Sequence, residues 1–494
     1  MIAYITIAAF AVVGTLIALY SWRVSKRDDP VDFFIASHGL GGFTSALTYA
    51  ATTYSAFMMI GLVGFSYATG IGAFGFEAAY FVATLLLLAI VGVRLWKVGR
   101  AERHVSPSEF LLSRYQSGLT AALASVFMAV ALIPYASIQI IGPAILLELS
   151  SGGTLPYSVA VLVITVLVLV WGFIGGFRGV AWTDALQGLF MLSSAVIVVA
   201  WVFSWGVNPI GHLASIGHST LKFPNWFWTP SIFLAYTLPW MFFAVTNPQV
   251  VQRLYAPRDL KSYRVMVIGF ASFGLLYTLL TTVLGLALRG YSELGVFPDI
   301  DVSRRANWNL VTPTLLSLAV IPQWLSTLVA LSVLAAAITT IDSIALTISS
   351  MITRDLLGKA LSSRGQVAAG RAVLVGLTLF IASFAYLKPA FIVDLAVKSS
   401  TLLLPFAPLF IGGFLHKRPA KYTSLLTVAV GFLFTLFMIV LGFSSICGVP
   451  LCVWALGTST AIYAIGVAVE SRIGEHSANT AINNSAGKLG LKHH

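Results

Sequence analysis

The chain has 494 residues, of which 58% are hydrophobic and only 9% charged, and its mean hydropathy is +0.92. So long a chain with so little charge excludes a soluble globular protein and implies an all-α polytopic membrane protein. The formal charge of +12 does not imply a nucleic-acid partner, because the basic residues sit in short loops between apolar segments and form no basic domain.

Apolar windows of the length that crosses a bilayer fall in chain order at 2–22, 41–67, 73–96, 118–147, 155–174, 180–205, 230–252, 265–288, 323–352, 369–387, 390–415, 421–443 and 451–469. The reading is about thirteen spans. No positively charged region precedes 2–22 and no small-residue cleavage site follows it, so it reads as a retained helix. The stretch 309–321 (NLVTPTLLSLAVI) is too short to cross and reads as a helix lying in an outer loop. Residues 1–469 then form one transmembrane domain, and the polar segment 470–494, rich in Ser, Asn and Gly, reads as a disordered cytoplasmic tail. Cys447 and Cys452 read as unpaired thiols, with a disulfide as the alternative.

Lys and Arg in the loops set the orientation. Arg23, Lys26 and Arg27 follow the first span; Arg94, Lys97, Arg100, Arg103 and Arg114 the third; Arg178 the fifth. Arg253, Arg258, Lys261 and Arg264 follow the seventh, Arg354, Lys359, Arg364 and Arg371 the ninth, and Lys417, Arg418 and Lys421 the eleventh. The opposite loops hold only Lys222, Arg289, Arg304, Arg305 and Lys388. The first set is therefore expected in the cytoplasm, with the N-terminus outside and the C-terminus inside.

Chemistry concentrates in three spans. Residues 331–355 (LSVLAAAITTIDSIALTISSMITRD) are apolar enough for a membrane yet carry Thr339, Thr340, Asp342, Ser343, Thr347, Ser349 and Ser350. Most such hydroxyls bond back to their own helix. An aspartate at that depth needs a partner or an ion, and a cluster of oxygens without Cys or His suits a hard cation. The stretch therefore reads as half of a sodium site. The second span (SALTYAATTYSAFMMIGL, 45–62) and the seventh (YTLPWMFFAVTNPQVVQR, 236–253, with Pro239 and Pro248) read as broken. In transporters built of inverted repeats, paired broken helices hold the ions and the solute. Spans two to six (about 41–205) and seven to eleven (about 230–415) would be the two halves, with extra helices at 2–22, 421–443 and 451–469.

In combination and in order, DFFIASHGLGGF (32–43), ALTYAATTYSAFMMIGL (46–62), GGFRGVAWTDALQG (175–188), NPQVVQR (247–253) and LAAAITTIDS (334–343) make the chain resemble the sodium/solute symporter family, from about residue 31 to 420. That family includes sodium/proline, sodium/pantothenate and sodium/sugar symporters. The resemblance implies a leucine-transporter-type fold of two inverted five-helix halves and sodium-coupled uptake by alternating access. It implies a sodium site of backbone carbonyls at Ala51, Tyr54 and Ala336 with the hydroxyls of Thr339 and Thr340. Thr53 stands where the proline symporter has an aspartate. A second sodium site, present in some members, would use Asp184, Asp342 and Ser343; a structural role for Asp184 at the helix mouth and a proton at either acid are the alternatives.

By the same resemblance the solute pocket would be lined by Thr53, Ser55, Met58, Glu77, Trp240, Phe243 and Asn247, with Phe243 where sugar symporters have a gating tyrosine. Lys398 lies one helical turn after Asp394 in AFIVDLAVKSSTLLLPF (390–406). It reads either as half of an intrahelical ion pair or as the group that neutralises a substrate carboxylate. The second reading favours a monocarboxylate, pantothenate or an amino acid over a sugar. The expected function is a sodium-coupled symporter of a small organic solute, monomeric in the plasma membrane, with Na+ as coupling ion; a proton-coupled or sodium-independent carrier of the same fold, or a sodium/sugar symporter, is the alternative. An enzyme is not expected, since the chain has no HExxH, no Walker-type glycine loop and no Cys/His cluster of metal spacing.

Overall fold

The computed structural model describes residues 2–488, apart from 27, 152, 359, 388–391 and 417. Helix α1 (Ile2–Val24) is followed by a short α2 (Pro30–Ile35), capped by the Asp29 side chain, and by α3 (Gly42–Thr53). Helix α3 stops at Tyr54, which leaves helical geometry at φ −95°, ψ 89°; the chain resumes as a wide-wound turn (Phe57–Leu62) and α4 (Val63–Thr69), bent by 49° from α3. Two threonines close α3 at residues 52 and 53. Their branched side chains and hydroxyls compete with continuation of the helix.

Helix α5 (Gly72–Leu87) continues through a wide turn into α6 (Val93–Ala101), and α7 (Pro107–Tyr115) starts on a capping box of Ser106 and Glu109. Helices α8 (Gly118–Ser150) and α9 (Tyr157–Phe203) follow. A straight helix of 47 residues would be about 70 Å long, more than twice a bilayer core. Helix α9 holds two spans because Gly176 interrupts it at φ 53°, ψ −162°, with the Phe33 carbonyl only 2.9 Å from where a Cβ would stand. A residue with a side chain fits neither that backbone nor that gap.

After α10 (Pro209–Ser215), the seventh span comes in pieces: α11 (Pro230–Met241), α12 (Phe243–Thr246) and α13 (Pro248–Leu254). Pro248 has no N–H to continue α12 and forces Asn247 into extended geometry (φ −85°, ψ 110°). Helix α14 (Leu260–Glu293) leads to the short α15 (Val311–Ser317), then come α16 (Gln323–Met351), α17 (Ser363–Leu387), α18 (Ile392–Leu403), α19 (Ala407–Gly412), α20 (Lys421–Val440) and α21 (Leu451–Lys488). A two-stranded turn, Ser445–Ile446 on Val449–Pro450, joins the last two.

Among the described residues ten helices are long and apolar enough to cross a membrane, or eleven with the bent pair α3–α4 taken as one. The thirteen expected spans exceed this because α9 carries two and because no piece of the seventh is long enough alone. Helix α16 is the axis: 94% of its apolar window is buried, and it packs on α8 and α9, while α3 packs on α9 and α14. Helix α21 runs on to Lys488, so the segment expected to be disordered from 470 begins as helix; residues 489–494 lie outside the described ones. Arg27, Lys359, Lys388 and Lys417, used above for orientation, also lie outside them. Cys447 is exposed, Cys452 is buried in α21, and neither is paired.

Candidate ion and solute site

The break after α3 faces the middle of α16. A helix end leaves its last carbonyls without N–H partners, and here α16 supplies hydroxyls to them. Thr339 Oγ1 donates to the Ala51 carbonyl at 3.0 Å and to the Ala336 carbonyl at 2.9 Å. Thr340 Oγ1 reaches the Ala336 carbonyl at 3.1 Å, that of Thr52 at 3.4 Å and that of Ala51 at 3.5 Å. Three carbonyl and two hydroxyl oxygens thus converge, all on buried residues. Hard cations of this size take oxygens at about 2.4 Å, which sets adjacent ligands about 3.4 Å apart. The hydroxyl–carbonyl distances run from 2.9 to 3.5 Å, so an ion would spread the closest pairs by a few tenths of an ångström. The Thr52 carbonyl was not among the expected ligands. Tyr54, which was, is the residue at which α3 stops, and its ring stacks on Phe270 with centroids 5.5 Å apart.

The three residues of the expected second sodium site do not form a free ligand set. Asp184, on the second half of α9, accepts from Thr48 Oγ1 at 2.6 Å and from Arg253 Nη2 at 3.2 Å through the same oxygen, Oδ2. Arg253 Nη2 also donates to Ser343 Oγ. Asp342 is 1% exposed with neither carboxyl oxygen hydrogen-bonded, and its Oδ1 shares the space beside Gly172 with Leu374. Arg253 itself, counted above among loop charges, is not in a loop: it is 1% exposed, in the last turn of α13. Its signal in the sequence was NPQVVQR, where the helix restarts at Pro248 and puts Gln249 and Arg253 four apart on one face.

Above the break, Trp240 and Phe243 stack almost parallel, with centroids 5.3 Å apart and an interplanar angle of 4°. Tyr80 meets them edge-on at 5.5 and 5.8 Å, Tyr135 at 6.4 and 6.3 Å, and Phe57 lies 5.2 Å from Trp240. Ser55 joins this box, since Tyr135 Oη reaches its Oγ at 3.5 Å. Tyr80 and Tyr135 were not singled out in the sequence; Tyr80 lies one turn after Glu77. Met58 is buried on the wide-wound turn. Thr53 Oγ1, Glu77 Oε2, Trp240 Nε1 and Asn247 Nδ2 are buried and have no hydrogen-bond partner in the protein. Such groups are costly inside a membrane protein unless something polar meets them.

Lys398 is exposed on α18, while Ser399, Ser400 and Ala396 are buried. Asp394 does not pair with it: it accepts from Tyr236 Oη at 2.6 Å and pairs with Arg305 at 3.3 Å. A periodicity of four puts Asp394 and Lys398 near each other on one helix, but Tyr236 and Arg305, brought by the fold, satisfy the acid first. Lys398→Gln is therefore expected to leave solute uptake and the thermal midpoint unchanged; a tenfold loss of uptake would return the lysine to the site.

The family model described as the sodium:solute symporter family matches residues 33–431. The sodium/pantothenate symporter of Escherichia coli K12 is 28% identical over 303 residues, 60% of this chain and 61% of that protein. The osmoregulated proline transporter of Bacillus subtilis is 25% identical over 293 residues, 58% of this chain and 57% of that protein. The chain thus spans about three-fifths of the length of these relatives. A substrate-bound, outward-open structure of a Na+-coupled sialic acid symporter superposes with a TM-score of 0.78 at 17% identity, over 94% of this chain and 96% of that one. That likeness shows the fold, which is the expected leucine-transporter type.

Proposed function

From the premise that the chain belongs to the sodium:solute symporter family, a family of transporters and not of enzymes, we propose that it is a sodium-coupled secondary active symporter. It takes up a small organic solute across the plasma membrane by alternating access, as a monomer with its N-terminus outside. The observation that carries the sodium reading is the convergence of the Ala51, Thr52 and Ala336 carbonyls with Thr339 and Thr340 at the break in α3. The carbonyl end of α3 adds the negative end of its dipole. An ion there ties the broken span to α16, so that solute access on one side depends on the ion being bound.

The solute of this proposal is a carboxylate that also carries hydrogen-bond donors. The named substrates of relatives support it, pantothenate, proline and sialic acid each being carboxylic acids. With Lys398 exposed on α18, neutral donors would receive the carboxylate: the indole N–H of Trp240, the amide of Asn247 and the hydroxyl of Thr53. Glu77 would accept from a hydroxyl, amide or ammonium, and the aromatic box would hold the apolar body.

Thermal unfolding of the detergent-purified protein tests both parts, in sodium chloride against choline chloride with a panel of acids, amino acids and sugars. A ligand that binds only the folded state raises the midpoint. A sodium-dependent rise, enlarged by one carboxylate, is expected. A rise that ignores sodium and follows pH would move the reading to proton coupling, and one enlarged only by a sugar would replace the carboxylate.

A further inference from the structure

One turn further along α16 a second knot of oxygens already holds a cation. Arg253 Nη2 donates to Asp184 Oδ2 at 3.2 Å and to Ser343 Oγ, its Nε to Thr48 Oγ1 at 3.2 Å, and its Nη1 to the Gln249 carbonyl at 3.1 Å. Thr52 Oγ1 lies 2.9 Å from Ser343 Oγ, and the Phe177 ring closes the cage with its centroid 5.3 Å from the guanidinium carbon. These oxygens come from α3, α9, α13 and α16, of which α3 and α16 also supply the sodium cluster, and Ser343 Oγ donates directly to the Thr339 carbonyl. We infer that Arg253 is the resident cation of this cage, so that Asp184 and Ser343 give no ligand to a second sodium ion. The inference rests on the sodium reading above.

Three physical reasons support it. A guanidinium cannot shed its proton in a protein, and its planar fork matches the carboxylate and hydroxyls that surround it. A buried Arg without these partners would be far more costly than one with them, so the cage is not free to give them up to a mobile ion. Asp184 Oδ1 has no partner, but a second positive charge on it would sit on the same carboxylate as the guanidinium and be repelled at close range in a poorly screening interior. Because Arg253 is fixed to α13, its charge stays with the protein when sodium leaves, and Asp184 never has to be stripped of a cation during the cycle.

Equilibrium binding of 22Na+ to the purified, solute-free protein tests this. Wild type is expected to hold one saturable site per chain, lost in Thr339→Ala and retained in Asp184→Asn. Arg253→Ala is expected to gain a second site, lost again in Arg253→Ala/Asp184→Asn. Two sites in wild type, falling to one in Asp184→Asn, would overturn the inference, as would a folded Arg253→Ala that still binds only one. If Arg253→Ala does not fold, the wild-type and Asp184→Asn counts decide alone. No site in wild type would overturn the sodium reading itself, a result distinct from finding two.

Discussion

Thr339→Ala is expected to weaken sodium binding about a hundredfold, which is close to 2.7 kcal/mol. The hydroxyl is one of five oxygens in the cluster, and it makes the closer of the two hydroxyl bridges from the broken α3 to α16, standing 3.0 Å from Ala51 and 2.9 Å from Ala336. Removing it leaves only the longer Thr340 contacts between these carbonyls and the ion with an incomplete shell. At a sodium concentration a hundred times the wild-type dissociation constant, stabilisation of the folded protein by sodium is about 2.7 kcal/mol; after a hundredfold loss it falls to about 0.4 kcal/mol. In choline chloride the midpoint should fall only by the lost buried hydrogen bond, about 1 kcal/mol, and Thr339→Ser, which keeps the oxygen, should retain most of the sodium response. A Thr339→Ala protein that still gains the full wild-type rise in sodium would show that the ion sits elsewhere.

Gly64→Val is expected to cost roughly 4 kcal/mol or more of stability. Helix α4 runs so close to the segment before α15 that a Cβ on Gly64 would stand 1.8 Å from the Trp308 carbonyl oxygen. The obstacle is backbone, so no rotamer change relieves it. On its other side α4 is held by α14, where a Cβ on Gly285 would come 2.3 Å from the Val63 carbonyl, so the helix cannot simply move away. Thr312 Oγ1 also donates to the Met59 carbonyl in the turn that precedes α4, which ties α15 to the broken span. The expected result is a lower thermal midpoint and an aggregated profile on size-exclusion chromatography. Gly376→Ala is the control: nothing lies within 4 Å of its Cβ position on α17, and it should be neutral or slightly stabilising. Equal behaviour of the two variants would contradict the packing described here.

Composition alone gave the membrane class, and hydropathy placed nearly every span, because each must cover its own backbone in lipid over a fixed length. The break at 52–55 and the restart at Pro248 were legible for the same local reason: threonines and prolines act on the helix that carries them. Thr339 and Thr340 could be tied to Ala51 and Ala336 because the motif order resembles a known family, and the structure brings those four residues together.

What the sequence could not decide was which charge meets which. Asp394 and Lys398 are a turn apart, yet Tyr236 and Arg305, distant in sequence, take the acid and leave the lysine exposed. Arg253 reads as one of several basic residues after a span, yet it is the buried partner of Asp184, 69 positions earlier. Helical periodicity fixes which residues share a face, and it acts within one element. Whether that face meets lipid, a carboxylate or a carbonyl end is set by the neighbouring helices, since a charge in the membrane goes wherever the assembled fold first offers it a partner. The sequence by itself therefore determined the spans, their breaks and where oxygen-bearing side chains gather; only the tertiary structure decided that Arg253 is buried against Asp184 and that Lys398 is exposed.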